Sequence, residues 1–186
     1  MSNARKHLER WHSATPHLYL NDRGWVCVGF DQVIPSYRDM STMGFKNIFG
    51  VDATLEDCAS EYRRIANARR ACLPSFYSAF CVLNIKHRID ELWAYRIAEL
   101  NKQLGRRYPG FGSLPEAARL AMMDCAWNPG STQIVSDGPS PLSEAIEARD
   151  WNRCADLLYI TGAVPRRLED NKDLFRLAAI EKGKKK

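Results

Sequence analysis

With 186 residues, 45% apolar and 26% charged, the chain has ordinary globular composition and enough length to bury a sizeable core. Four of its formal +5 charges, Lys182, Lys184, Lys185 and Lys186, lie in the last five residues, so the body is close to neutral and its basicity argues for no nucleic-acid partner. The polar opening residues do not read as a signal peptide, and no apolar run approaches membrane-spanning length. The expectation is therefore a protein made in the cytoplasm, outside membranes and monomeric.

In chain order, residues 1–13 have helical composition, with Glu9, Trp11 and His12 near the end and Thr15-Pro16 as the stop. Leu18-Tyr19-Leu20 and Trp25-Val26-Cys27-Val28 flank Asn21-Asp22-Arg23-Gly24, a turn whose Gly can take positive φ. This reads as a β-hairpin reaching about Ile34. Residues 35–53 are poorly periodic and read as loop with one short strand or helical turn. Thr54 opens an amphipathic helix carrying Leu55, Cys58, Tyr62 and Ile65, until Leu73-Pro74 breaks it. Ser75 to Leu83 is a second, very apolar segment.

From Asn84, the positions Ile85, Ile89, Leu92, Trp93, Ile97, Leu100 and Leu104 predict the longest helix, with Gly105 as its end. Ser113-Leu114-Pro115-Glu116 reads as a capping box. The following stretch, 117–127, is almost wholly apolar and is expected in the core. It ends at Asn128-Pro129-Gly130-Ser131. A Ser/Gly/Pro loop over 132–140 leads to a short helix at 141–148, a second helix from Asp150 to Tyr159, and a last helix at 165–180. With no repeat and no second core in view, one domain is expected over 1–181, followed by the basic tail 182–186.

The hairpin stretch resembles the phage-type lysozymes, which cut peptidoglycan glycan strands. Their pattern is a helix ending Glu-Gly, then Tyr-x-Asp-x-x-Gly, then Thr-Ile-Gly-x-Gly-His. Tyr19, Gly24 and Gly29 fall on its Tyr, turn Gly and first strand Gly. The family's catalytic Glu falls on His12, its Asp on Asn21 and its Thr on Cys27. Its second Gly and its His fall on Asp31 and Gln32. In the C-terminal half, Cys125-Ala126-Trp127-Asn128-Pro129-Gly130 resembles the family's buried helix end. Ala148-Arg149-Asp150-Trp151, then Val164-Pro165-Arg166-Arg167-Leu168-Glu169 through Leu174-Phe175, follow in family order. The resemblance covers roughly 8–34 and 85–178, leaving 36–84 as an inserted or remodelled segment. It implies a mainly α, α+β lysozyme-like fold with a small N-terminal hairpin lobe and a larger helical lobe.

A glycosidase of this kind needs an acid for the leaving oxygen and a second group to manage water or the oxocarbenium ion. Glu9, one helical turn before His12, is the candidate displaced acid, and Asp22 and Asp31 are candidates for the second carboxylate. A set of Cys27, His12 and Asn21 also has the composition of a Cys–His acyl-transfer site, with Cys27 facing His12. A third reading is a catalytically lapsed protein that binds glycan or a protein partner. Tyr19, Trp25, Asn128 and Arg166 are candidate substrate contacts. The six cysteines form no Cys-x-x-Cys and no zinc spacing, so reduced core thiols, no metal and no cofactor are expected. Action on peptidoglycan would require delivery to the periplasm or cell wall by a holin or secretion system.

Overall fold

A computed structural model describes residues 2–70, 72–127, 134–135 and 138–183. It is mostly helical with small antiparallel sheets, an α+β composition. The backbone groups into two compact units, one built from 12–94 and the other from 1–11 with 95–186. Each buries its own apolar set, where the sequence suggests one core. No described helix is long and apolar enough to cross a membrane.

The unit 12–94 is organised on β1 (Thr15–Leu20), β2 (Val26–Gly29) and β3 (Gln32–Val33), antiparallel in that order. Tyr19 pairs with Cys27, Leu20 with Val26, and Cys27 with Val33. Leu18, Tyr19 and Leu20 are all buried, as is every residue of β2, so these strands are covered on both faces. The covering residues come largely from the stretch 36–84. They include Met40 of α2 (Tyr37–Ser41), Phe45 before β4 (Lys46–Asn47), Cys58 and Ile65 of α3 (Leu55–Ala66), Tyr77 of α4 (Pro74–Tyr77), and Leu83 of β5 (Leu83–Asn84). The stretch 35–53, expected as loop with one short strand or helical turn, thus holds both a short helix and a short strand. Gly29, at φ +65°, has Leu92 so close that a Cβ would lie 3.1 Å from its Cδ1, which explains a glycine there.

Two polar devices fix this unit. Thr54 and Asp57 form a reciprocal capping box at the start of α3. Glu61 is fully buried, pairs with Arg64, and accepts from the Val82 and Leu83 amides at 3.1 and 3.4 Å. It closes the loop before β5 onto α3.

A 3₁₀ turn leads into α5 (Ile89–Arg107), which starts in one unit and ends in the other. It passes through Gly105, the expected stop, because that glycine keeps helical backbone and Arg106 and Arg107 complete the last turn. In the unit 1–11 and 95–186, α6 (Glu116–Ala126) packs against α9 (Pro165–Gly183) and α1 (Asn3–Leu8). Then α7 (Pro141–Glu147) packs on α8 (Trp151–Leu157), and α8 on α9. As its composition predicts, α6 is buried over Ala121–Ala126. The capping box read at 113–116 does not form. Ser113 belongs to a 3₁₀ turn and donates to the Gly110 carbonyl at 2.7 Å, leaving Pro115 as an N-cap without side-chain bonds.

Buried within α6, Asp124 accepts from Arg167 Nε at 2.9 Å and from Asn171 Nδ2 at 2.5 Å, both on α9. Removing one partner of a buried ion pair leaves the other charge uncompensated. Asp124→Ala is therefore expected to destabilise this unit by about 3–5 kcal/mol, read by urea unfolding; a loss under about 1 kcal/mol would contradict the buried pairing. In the other unit, the Thr54 hydroxyl and amide hold the Asp57 carboxyl below its usual value. That contribution is complete above about pH 4 and is lost as pH falls through the lowered value. Thr54→Ala should flatten the acid limb of thermal stability between about pH 2 and 5.

Candidate functional site

The helix expected over 1–13 stops at Leu8. Glu9 is its C-cap, and its amide already bonds back to Arg5 and His7 carbonyls. Glu9 and His12 therefore do not share a helical face, and they belong to different units. The Glu9 carboxylate lies 2.7 Å from Arg5 Nε in an exposed i,i+4 ion pair. It lacks the apolar enclosure that equips a carboxyl to act as a general acid near neutral pH. His12 is half-buried on the short link into β1.

Asn21 is consumed by the turn. Its Oδ1 accepts from the Arg23 amide at 3.1 Å and the Trp25 amide at 3.0 Å. Its own amide and carbonyl close the hairpin with Trp25 and Gly24. Asp22 is exposed at the tip of this turn.

Cys27 is fully buried in the core of its unit, opposite Tyr19 on β1 and Val33 on β3. Burial, then the nearby Asp31 charge, pushes its thiol up to about 11. A catalytic thiolate needs the opposite environment. Burial argues against the nucleophile reading of Cys27, since the sulfur fills space in a sheet covered on both faces.

Asp31 is exposed and adopts φ +57°, unusual for a residue with a side chain. Tyr19 holds it there. The phenol donates to Asp31 Oδ1 at 2.6 Å and accepts from the Asp31 amide at 2.9 Å. Burial and the Asp31 carboxylate together raise the Tyr19 phenol far above its usual value, so it stays protonated. Tyr19 is thus a buried strut, where the sequence offers it as a sugar-stacking surface.

Trp25 behaves otherwise. It is 49% exposed, with the Arg23 guanidinium 5.3 Å from its ring centre. It borders a shallow recess of about 350 Å³ lined also by Val33, Pro35 and Tyr62. The Tyr62 hydroxyl is tied down by donation to the Pro35 carbonyl at 2.9 Å. Sequence reading missed Pro35 and Tyr62 because Tyr62 sits on the apolar face of its helix and looks like core.

In the other unit Arg166 is exposed, whereas its neighbour Arg167 is the buried partner of Asp124. Asn128 lies outside the described residues. Among the described residues no group of three His, Cys, Asp or Glu side chains is placed to hold a metal ion. No family model, curated protein or solved structure matches the chain.

Native alkylation checks the thiol assignments. At pH 8, partly exposed Cys72 should react with iodoacetamide while Cys27 and Cys125, both fully buried with raised thiols, stay unmodified over the same period. Modification of Cys27 ahead of Cys72 would restore the nucleophile.

Proposed function

We propose that the chain is a lysozyme-like protein that engages peptidoglycan glycan strands through the recess beside Trp25, without cutting them by the family's carboxylate chemistry. The observation that carries this reading is the half-exposed Trp25 at the rim of an apolar recess next to the hairpin. A large indole left in water at a rigid turn is suited to stack on the C–H face of a sugar ring. The second half of the proposal rests on the employment of the alternative groups. Asn21 closes a turn, Cys27 is core, and Glu9 is an exposed ion pair. Such a protein meets its ligand in the periplasm or cell wall once delivered there.

A second reading keeps hydrolysis and places the carboxylate at Asp31. It is favoured by the left-handed backbone at that residue, since strain of this kind gathers at functional positions, and by the Tyr19 phenol that orients the exposed carboxylate.

Two measurements separate the readings. The wild-type chain should pellet with purified sacculi, and Trp25→Ala should weaken that association about tenfold, because one central aromatic commonly dominates a small binding surface. Permeabilised Gram-negative cells should keep their turbidity. Undiminished pelleting of Trp25→Ala would remove the recess from the proposal. Turbidity loss that disappears in Asp31→Asn would transfer the assignment to the hydrolase.

A further inference from the structure

The recess beside Trp25 is lined by apolar and aromatic groups, yet two arginines stand against its Gly24 and Trp25 side. Arg23 places its guanidinium 5.3 Å from the Trp25 ring centre, so a cation holds one face of the indole. Arg70, shortly after the end of α3, lies against the hairpin turn. A Cβ on Gly24 would meet its Nε at 3.2 Å and its Cζ at 3.3 Å, so the bare glycine gives the guanidinium room to lie there. Both arginines are exposed, and neither forms an ion pair among the described residues. Asp22, exposed on the same turn, pairs with neither. At the Tyr62 wall, burial and then the Asp39 charge raise the phenol, but Asp39 already accepts from the Ser36 hydroxyl at 2.6 Å. Two like charges gathered at one turn repel, and an anion seated against both offsets that repulsion.

We propose that the recess recognises peptide-free peptidoglycan strands, whose muramic lactyl groups carry free carboxylates. The inference rests on the glycan reading above and names the form of glycan it takes. A sugar ring lays its C–H face on Trp25 and turns its carboxylate to Arg70 and Arg23. A planar guanidinium bonds a carboxylate through two parallel N–H donors, a match that a neutral hydroxyl does not offer. In a strand that still bears its peptides the lactyl carboxyl is an amide and brings no charge to the two arginines. The reaction that supplies this ligand is therefore hydrolysis of the lactyl–peptide amide. Its C–N bond breaks, the oxygen of water ends in the carboxylate, and the amine leaves with the peptide.

The test is calorimetric titration of the full chain with the disaccharide N-acetylglucosaminyl-N-acetylmuramic acid, its methyl ester and neutral chitobiose. The acid should bind about tenfold tighter than the ester. That margin should shrink as salt rises from about 0.05 to 0.5 M, because both guanidinia are exposed. Arg70→Gln, at an exposed position, should bring the acid-to-ester ratio down to about one while retaining the wild-type circular dichroism. Sacculi stripped of their peptides should retain more of the chain than intact sacculi at equal glycan. Equal binding of acid and ester, or an acid preference that survives Arg70→Gln, would overturn this inference and leave the glycan reading standing. Tighter binding of a single-stranded oligonucleotide than of the disaccharide acid would overturn it in favour of a nucleic-acid ligand. Absence of heat with all three sugars at millimolar concentration would overturn both readings.

Discussion

Enclosure of the β1–β2 hairpin on both faces is the constraint on which the unit 12–94 depends. A hairpin with one wet face alternates apolar and polar residues; this one is buried at three successive positions on β1 and all four on β2. Several features follow from that. Cys27 has no face on which to meet solvent. Tyr19 must bring its hydroxyl to a polar partner, and the Asp31 amide and carboxylate supply both an acceptor and a donor. The segment 36–84 must supply a second cover, which it does with Met40, Phe45, Ile65 and Tyr77.

Buried charge appears in each unit, and each instance has its partners. Glu61 is satisfied by Arg64 and two backbone amides, and Asp124 by Arg167 and Asn171. Such groups add less to net stability than their geometry suggests, because desolvation offsets much of the attraction. Glu61 can accept from the Val82 and Leu83 amides only when the loop before β5 sits in one register. Asp124 can meet Arg167 and Asn171 only when α6 and α9 adopt one rotation.

Legibility in the sequence followed locality. The hairpin turn, α3 with its Thr54 cap, and the buried α6 were readable because each is set by residues within a few positions of one another. The end of α1 was not, since composition continues helical past Leu8 while the backbone turns at Glu9. The capping box at 113–116 failed for a similar reason: Ser113 has a nearer acceptor in Gly110. The burial of Cys27 was in fact visible in the unbroken apolar run Val26-Cys27-Val28, which leaves no polar face. The Trp25 recess needs Tyr62 from 37 residues further along the chain, and no local pattern announces that.

Within the hairpin, Tyr19, Gly24 and Gly29 all have backbone or packing duties: a strut, a turn at φ +78°, and a close approach to Leu92. Such duties depend on shape. Asn21, Cys27 and Asp31 each meet a structural demand as well. Asn21 bonds backbone amides as an aspartate would, without a charge. Cys27 fills a space where a hydroxyl would need a partner. Asp31 accepts strained backbone in exchange for the Tyr19 phenol. Trp25 stays half-exposed at this end of the unit beside an apolar recess, while Asp22 and Asp31 carry the exposed carboxylates.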